Sequence, residues 1–380
     1  MGNKRVPGRY VRQTTGYKAY MPQTLPLAGI VRSNRLDNTL SKADRALGRL
    51  DGAIDALFNA DLFIMMYLRK EATLSSQIEG TQASLNDVLQ AEADIKNPDR
   101  PDDVGETLNY VRAFHHGLER LETLPLSLRL LRELHEILMR DVRGQERTPG
   151  AFRTTQNWIG PSGVSLENAS YVPPPSHELT RYLGNLEDYI RAEDDLPFLM
   201  KVGIAHAQFE TLHPFLDGNG RLGRLLITFM LCERQILTKP VLYLSHFFKQ
   251  NRDEYYRRLQ ATRDDDDWEG WLEFFLLAVA TVSNEATETL RAVSALRENH
   301  RQSLIDAAPK GAGNALRLHE HLFNKPFIDV EGAAKITGTT VQGASTIVDR
   351  MCALDILTEI TGRKRDRVFS YSSYLELFAD

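Results

Sequence analysis

Twelve consecutive residues, His213-Pro214-Phe215-Leu216-Asp217-Gly218-Asn219-Gly220-Arg221-Leu222-Gly223-Arg224, place a titratable base, a carboxylate, a glycine-rich bend and two arginines side by side. A site that grips a polyphosphate through metal and guanidinium, next to a base that activates a nucleophile, needs this set. His213 is the candidate general base, because an imidazole titrates near neutral pH. Asp217 is the candidate magnesium ligand, since Mg2+ in such sites takes one or two carboxylates plus substrate phosphates. Gly218 and Gly220 allow a sharp bend and close backbone approach. A loop that enters a helix there presents free N–H groups and the positive end of the helix dipole, which suits phosphate. Arg221 and Arg224, three apart on that helix, can both reach an anion.

Two other readings of these residues explain less. Gly218-x-Gly220-x-x-Gly223 has the spacing of a dinucleotide fingerprint, but the residues before it read as helix and turn, not as the strand of a βαβ unit. His206, Glu210 and His213 fall on one helical face, as in a metal hydrolase, but that triplet leaves the arginines unexplained.

The elements that must position this loop are mainly helices. From Leu36 to Ala93 apolar residues such as Leu40, Ala43, Leu47, Leu50, Ile54 and Leu57 recur at three- and four-residue steps. A largely buried helix starts at Asp61, runs on through Glu71 and stops near Gly80, its C-cap. Further helices are predicted over 104–122, 125–142, 176–192, 196–212, 221–234, 241–260 and 268–300. Pro214 disfavours helix at the residue before it, so His213 ends the 196–212 helix with its side chain aimed beyond it. Residues 149–175 carry Gly160, Pro161, Gly163 and Pro173-Pro174-Pro175 around strand-like Asn157–Ile159 and Ser170–Val172, which predicts a β-hairpin and loop. Residues 1–35 read as an extended arm and 307–313 as a linker. Beyond it, a helix at 330–336, a turn at 337–340, a helix at 341–354 and a hairpin with the basic tip Arg363-Lys364-Arg365-Asp366-Arg367 read as a winged helix.

Length and composition set outer bounds. The 380 residues suffice for two or three domains, and 42 % hydrophobic with 26 % charged residues is ordinary for a globular protein. A net charge of −5 argues against a protein that coats nucleic acid. Cys232 and Cys352 are far apart among apolar neighbours and read as buried free thiols. Lys4, Arg5, Arg9 and Arg12 precede no apolar segment, so the start does not read as a signal peptide. No apolar run reaches the roughly 18 residues of a membrane span. The expected location is cytoplasmic, with no membrane partner.

His213–Arg224 resembles, without departure, the signature of the Fic family, His-Pro-Phe-x-Asp-Gly-Asn-Gly-Arg-x-x-Arg. The stretch Lys70–Ser84 is similar to the N-terminal region of the longer bacterial Fic proteins. Phe152-Arg153 and Asn157-Trp158-Ile159-Gly160 resemble the segment leading into their flap. The resemblance implies a mainly all-α fold, a Fic helical bundle with a β-hairpin flap around 158–173, here followed by the winged helix. It divides the chain into an N-terminal arm and helical region (1–100), a catalytic core (101–305) and the winged-helix domain (306–380).

The same resemblance implies transfer of AMP from ATP, with Mg2+, to a Ser, Thr or Tyr hydroxyl of a protein target or of the chain itself. His213 would deprotonate that hydroxyl, and Asp217 would hold Mg2+ between the α- and β-phosphates. Gly218, Asn219 and Gly220 would form the anion hole, Asn219 with its side chain as well. Arg221 would bind phosphate in the α/β region and Arg224 the γ-phosphate. Leu222 and Gly223 belong to the same nucleotide-binding segment, and Phe215 would anchor the loop. Asn251 is read either as an adenine contact or as a helix cap. The flap would hold the target segment by strand addition.

Ser75-x-x-x-Glu79-Gly80 matches the family's inhibitory motif, with Ser75 and Glu79 on one helix face. A carboxylate paired with Arg224 would take the partner of the γ-phosphate and leave the α-phosphorus badly aligned. A small geometric error of that kind costs about 100-fold in rate. The same glutamate would equally serve AMP removal by orienting water, and transfer of another nucleotide or of a phosphate group by the core is a further alternative; the sequence leaves these open. A third reading is a nucleotide-sensing DNA-binding regulator, with Thr340, Gln342, Ser345 and Arg350 near the recognition helix. Residues 311–380 hold 8 Lys/Arg and 9 Asp/Glu, hence −1, which is poor for phosphate-driven affinity and favours dimerisation or target docking. Apolar faces on the N-terminal helices and the C-terminal domain leave a homodimer open.

Overall fold

The computed structural model describes residues 7–379 except 31, 56, 58–59, 96–98, 162, 310 and 364, so Lys4, Arg5 and Lys364 lie outside the described residues. The chain runs β1 (Arg9–Arg12), β2 (Lys18–Met21), α1 (Asn34–Asp55), α2 (Ala60–Ile78), α3 (Leu85–Glu92), α4 (Val104–Leu121), α5 (Leu128–Leu138), α6 (Ser176–Arg191), α7 (Phe198–Leu212), α8 (Asn219–Glu233), α9 (Ser245–Gln250), α10 (Arg252–Asp264) and α11 (Trp268–Ala307). It continues through α12 (Ala312–Leu322), β3 (Phe327–Asp329), α13 (Val330–Thr337), α14 (Val341–Ala353), β4 (Thr358–Glu359), β5 (Val368–Ser370) and α15 (Ser372–Glu376).

Sequence pattern explains the layout. α1 buries Leu36, Leu40, Ala43, Leu47, Leu50 and Ile54 in one stripe and packs along α11. α7 is buried on nearly every face, its polar Lys201, His206, Gln208 and Glu210 included, and sits among α6, α8 and α11. Its Gly203 lets α11 come close: a Cβ there would lie 2.9 Å from Phe275, and Trp271 Nε1 donates to the Gly203 carbonyl at 2.8 Å. One continuous apolar core runs from Leu25 to Phe378. Among the described residues no helix is long and apolar enough to cross a membrane.

Several expectations change in detail. The described part of residues 1–35 is not only an extended arm: β1 and β2 form an antiparallel hairpin with Tyr10 opposite Tyr20. Tyr20 N–H donates to Val172 at 2.9 Å, which ties this hairpin to the 149–175 segment. The hairpin expected in that segment is present as a single antiparallel bridge, Ile159 to Tyr171, with a short 3-10 turn over Leu166–Asn168 between them. The helix predicted over 125–142 stops at Leu138, because Asp141, Gly144 and Thr148 adopt positive φ in the turns that follow. The one predicted over 241–260 breaks at Asn251 into α9 and α10. α11 extends to Ala307, beyond the expected 300, and shortens the linker; α12, which is not among the expected helices, buries Ala315, Leu318 and Leu322 in one stripe. Cys232 and Cys352 are free but only half-buried.

In the C-terminal segment α13 and α14 are joined by Gly338 in the left-handed region, and Thr340 caps α14 through Gly343 N–H. The three strands form an antiparallel sheet in the order β3-β5-β4. Phe378, just after α15, packs its ring at 6.3 Å from Phe63 and 6.0 Å from Tyr67, so the C-terminal end leans on α2.

Candidate active site

α7 ends where Pro214 demands it, and His213 closes the helix with φ 45° and ψ 60°. A non-glycine residue held there costs about 1–3 kcal/mol and persists only when its surroundings over-determine it. Those surroundings are visible. The His213 carbonyl accepts from Arg153 Nε at 2.9 Å and from Asn157 Nδ2 at 3.1 Å. The same Arg153 reaches the carbonyls of Pro174 (2.6 Å) and Leu212 (3.3 Å), and its backbone N–H donates to Pro214 at 2.9 Å. Asn157 also donates to the Phe215 carbonyl at 2.8 Å. Both ends of the 149–175 segment are thereby clamped to the loop. Burial lowers the pKa of Arg153 to about 10. Burial also lowers the His213 ring to about 4, with Arg153 and Arg263 acting in the same direction and Glu79 opposing.

Phe215 is fully buried and stacks on His135, ring centroids 3.8 Å apart. His135 Nδ1 accepts the Gly150 N–H at 2.9 Å, which leaves Nε2 as the protonated nitrogen that donates to the Asp217 carbonyl at 2.9 Å. Burial lowers this ring to about 4, so it stays neutral. Gly218 turns the chain at φ 75°, and its N–H donates to Asp217 Oδ1 at 2.7 Å. The Asp217 carboxylate stays one-third exposed, with Arg147 at 3.5 Å. Asn219 does not offer its side chain to a ligand: Oδ1 accepts from Phe215 N–H (2.9 Å) and Nδ2 donates to the Phe215 carbonyl (2.8 Å). The first N–H groups of α8, from Asn219 onward, have no partner within the helix, and no side chain caps them at Gly218.

The two arginines part company. Arg221 turns inward to Glu106 at 2.9 Å, both side chains almost fully buried, with Arg143 on the other carboxylate oxygen at 3.6 Å. Burial pushes the Glu106 carboxyl up against the pull of Arg221 and Arg143. Arg224 instead meets α2. Its Nε donates to Ser75 Oγ, and one terminal nitrogen donates to the Ser75 carbonyl and to Glu79 Oε1, each at 2.8 Å. Burial raises the Glu79 carboxyl, but Arg224, helped by Arg221 and His213, outweighs that and holds it below the usual carboxylate range. A Cβ on Gly220 would lie 2.1 Å from Glu79 Oε1. The carboxylate thus rests on the first turn of α8, at the positive end of that helix's dipole.

Leu222 is core, and Gly223 is enforced by close contact, since a Cβ there would lie 2.2 Å from Glu210 Oε1. Glu210 is buried, which pushes its carboxyl up to about 7 against Arg224. His206 uses both ring nitrogens on the Gly223 carbonyl (2.9 Å) and Tyr255 Oη (2.8 Å). Among the described residues no group of three His, Cys, Asp or Glu forms a metal cluster. Asn251 Nδ2 donates to the Phe247 carbonyl at 2.9 Å and serves the α9–α10 junction rather than the loop. His135 and Glu106 were not singled out in the sequence. Each is one polar residue on an amphipathic helix, and nothing local distinguishes it from a core or surface position.

Residues 38–119 match the family model for the Fic/DOC family N-terminal region, and residues 125–231 match that for the Fic/DOC family. The chain belongs to the Fic family. The second match closes just past the loop and the first contains Ser75 and Glu79, so both partners of Arg224 lie on Fic-family segments. A probable protein adenylyltransferase of Aquifex aeolicus is 27 % identical over 205 residues, 52 % of this chain and 56 % of that protein. The protein adenylyltransferase Fic of Culex quinquefasciatus is 31 % identical over 145 residues, 37 % of this chain and 25 % of that protein. The chain therefore spans about half or less of these curated relatives. A Fic family protein from Desulfovibrio desulfuricans shares the fold with a TM-score of 0.58 at 18 % identity, covering 90 % of this chain and 97 % of that one. A Fic domain containing signaling protein from Bacteroides thetaiotaomicron aligns with a TM-score of 0.51 at 18 % identity, covering 68 % and 98 %.

Proposed function

We propose that this Fic protein transfers AMP from ATP to a hydroxyl of a protein target, or of itself, and that α2 holds it in a braked state. The observation that carries the reading is the engagement of Arg224 by Ser75 and Glu79 at 2.8 Å each, on the first turn of α8. In the released form Arg224 binds the γ-phosphate, and the N–H groups at the start of α8 receive the α/β-phosphates. Arg221, fixed on Glu106, contributes its charge from beneath the loop rather than by direct contact. His213 takes the proton of the target hydroxyl as that oxygen bonds to the α-phosphorus; the bond to the bridging oxygen breaks and pyrophosphate leaves. With its pKa near 4 the ring is neutral at physiological pH and ready to accept.

Asp217 suits Mg2+: a partly exposed carboxylate beside the phosphate position supplies the single protein ligand such a site needs. Magnesium, when bound there with the nucleotide, neutralises charge on the phosphates. The target segment adds to the 158–173 flap as a strand. The division into 1–100, 101–305 and 306–380 is our functional one. We read the last part as a winged helix that docks a target or a second copy, in keeping with its −1 charge rather than with DNA.

The test is label transfer from α-labelled ATP with Mg2+, comparing wild type, Glu79→Gly and Glu79→Gly/His213→Ala, with γ-labelled ATP in parallel. Label from the α position in Glu79→Gly alone supports AMP transfer, the brake and the base together. Label from the γ position makes the enzyme a phosphoryl transferase. With no label from either, AMP removal from a pre-modified substrate becomes the reading to assay.

A further inference from the structure

The brake contact lies at the weak end of its helix. α2 ends at Ile78, and Glu79 follows on a turn closed by Gly80 at φ +100°. Terminal turns fray, so something upstream must hold α2 in register. Two turns before Glu79, on the same face, stands Glu71, only 3 % exposed. Its Oε1 accepts from Ser245 Oγ at 2.5 Å and from Tyr110 Oη at 3.3 Å, and its Oε2 accepts the Ser245 N–H at 3.1 Å. One carboxylate on α2 is thereby pinned to the first residue of α9 and to the middle of α4. Tyr110 also faces Ser75, so the chain of contacts continues through Ser75 Oγ to Arg224 Nε. Neither α9 nor Tyr110 belongs to the phosphate-binding loop.

We propose that Glu71 is the positioning residue of the brake: it locks the register of α2 against α4 and α9, and so delivers Ser75 and Glu79 to Arg224. This rests on the braked reading given above.

The physical argument is one of register. A slip by one residue moves a helix about 1.5 Å and turns it by about 100°. Apolar packing resists such a slip, and a buried carboxylate with three directional hydrogen bonds adds a further penalty, because each donor left unpaired inside the protein is costly. Burial raises the Glu71 carboxyl, while the hydrogen bonds from Ser245 and Tyr110 and the nearby charge of Arg224 oppose that rise. Glu71 makes no hydrogen bond to the loop 213–224, so its loss acts mainly on the helix that blocks the loop.

The test compares AMP transfer from α-labelled ATP by the full chain as wild type, Glu71→Leu, Glu71→Gln, Ser245→Ala, Glu79→Gly and Glu71→Leu/Glu79→Gly. Glu71→Leu and Ser245→Ala are expected to gain activity, on the order of tenfold each for a lost buried bond, without exceeding Glu79→Gly. Glu71→Gln, which keeps the shape and can still bond Ser245 and Tyr110, is expected to stay near wild type. The double variant should match Glu79→Gly alone, since both act through one contact. A purely structural role predicts loss rather than gain. Ser245→Ala, the smaller change, together with faster amide exchange over residues 72–79, keeps the question answerable if Glu71→Leu folds poorly. Wild-type activity in Glu71→Leu and Ser245→Ala beside an activated Glu79→Gly would overturn the positioning role and leave the brake intact. An unactivated Glu79→Gly would remove the brake itself, and the positioning role with it.

Discussion

Arg224 and Glu79 stand 145 residues apart in the chain and meet at 2.8 Å, with the Glu79 carboxylate seated where Gly220 leaves no Cβ. One carboxylate therefore does two things. It occupies the guanidinium that, in the proposed function, binds a terminal phosphate, and it puts negative charge over the N-terminus of α8. Ser75 completes the grip with two bonds of its own.

Charge and shape at Glu79 are separable. Glu79→Gln keeps an acceptor for Arg224 but removes the repulsion toward phosphate. We expect its AMP transfer to rise about tenfold, between wild type and a Glu79→Gly variant raised about 100-fold. Equal rates for Glu79→Gln and wild type would mean that occupancy of Arg224, not charge, sets the brake.

The pH dependence follows from His213. Its pKa near 4 lies below the ordinary 6.5, so at every pH above about 4 the ring is neutral, with one nitrogen free to accept a proton. The acid limb of kcat/KM for a released variant should thus fall well below pH 6.5. Glu79 pulls this pKa upward, so its removal moves the limb further down. A limb at or above pH 6.5 in Glu79→Gly would contradict a buried neutral base.

Arg153 links the flap roots to the loop through carbonyls of Leu212, His213 and Pro174. Arg153→Ala removes this donor from the Leu212 and Pro174 carbonyls and leaves the His213 carbonyl to Asn157 alone. It should lower stability by about 2–4 kcal/mol, and lower kcat in a released variant more than it raises KM for ATP. Urea unfolding and steady-state kinetics on the same preparation check both halves.

Arg221 and Glu106 form a pair with almost no exposure. Glu106→Ala strands a buried guanidinium and should cost about 3–5 kcal/mol. Glu106→Gln, which still accepts a hydrogen bond, should cost less. A urea midpoint unchanged in Glu106→Ala would show that Arg221 finds another partner, and the phosphate would be the first to examine.

Gly223 sits against the Glu210 carboxyl, which would meet a new Cβ at 2.2 Å, with Phe209 at 3.1 Å. Gly223→Ala should therefore destabilise by about 1–3 kcal/mol, although alanine favours helices elsewhere. Thermal melting checks the sign; a stabilised protein would mean that the Glu210 side chain moves aside freely.

The sequence by itself determined what depends on near neighbours. The end of α7 at His213 follows from Pro214, the bend from Gly218, and the shared face of Ser75 and Glu79 from their spacing. These are short-range effects of sterics and periodicity, which a linear reading captures. Only the tertiary structure decided which anion each arginine meets. Arg221 and Arg224 look equivalent three residues apart, yet one turns to Glu106 on α4 and the other to Ser75 and Glu79 at the end of α2, 115 and 145 residues away. The same holds for Asn219, whose amide closes on Phe215 instead of facing a ligand, and for Asn251, which holds the α9–α10 junction. Long polar side chains have many rotamers of similar energy, and the partner that selects one is brought in by the packing of distant helices.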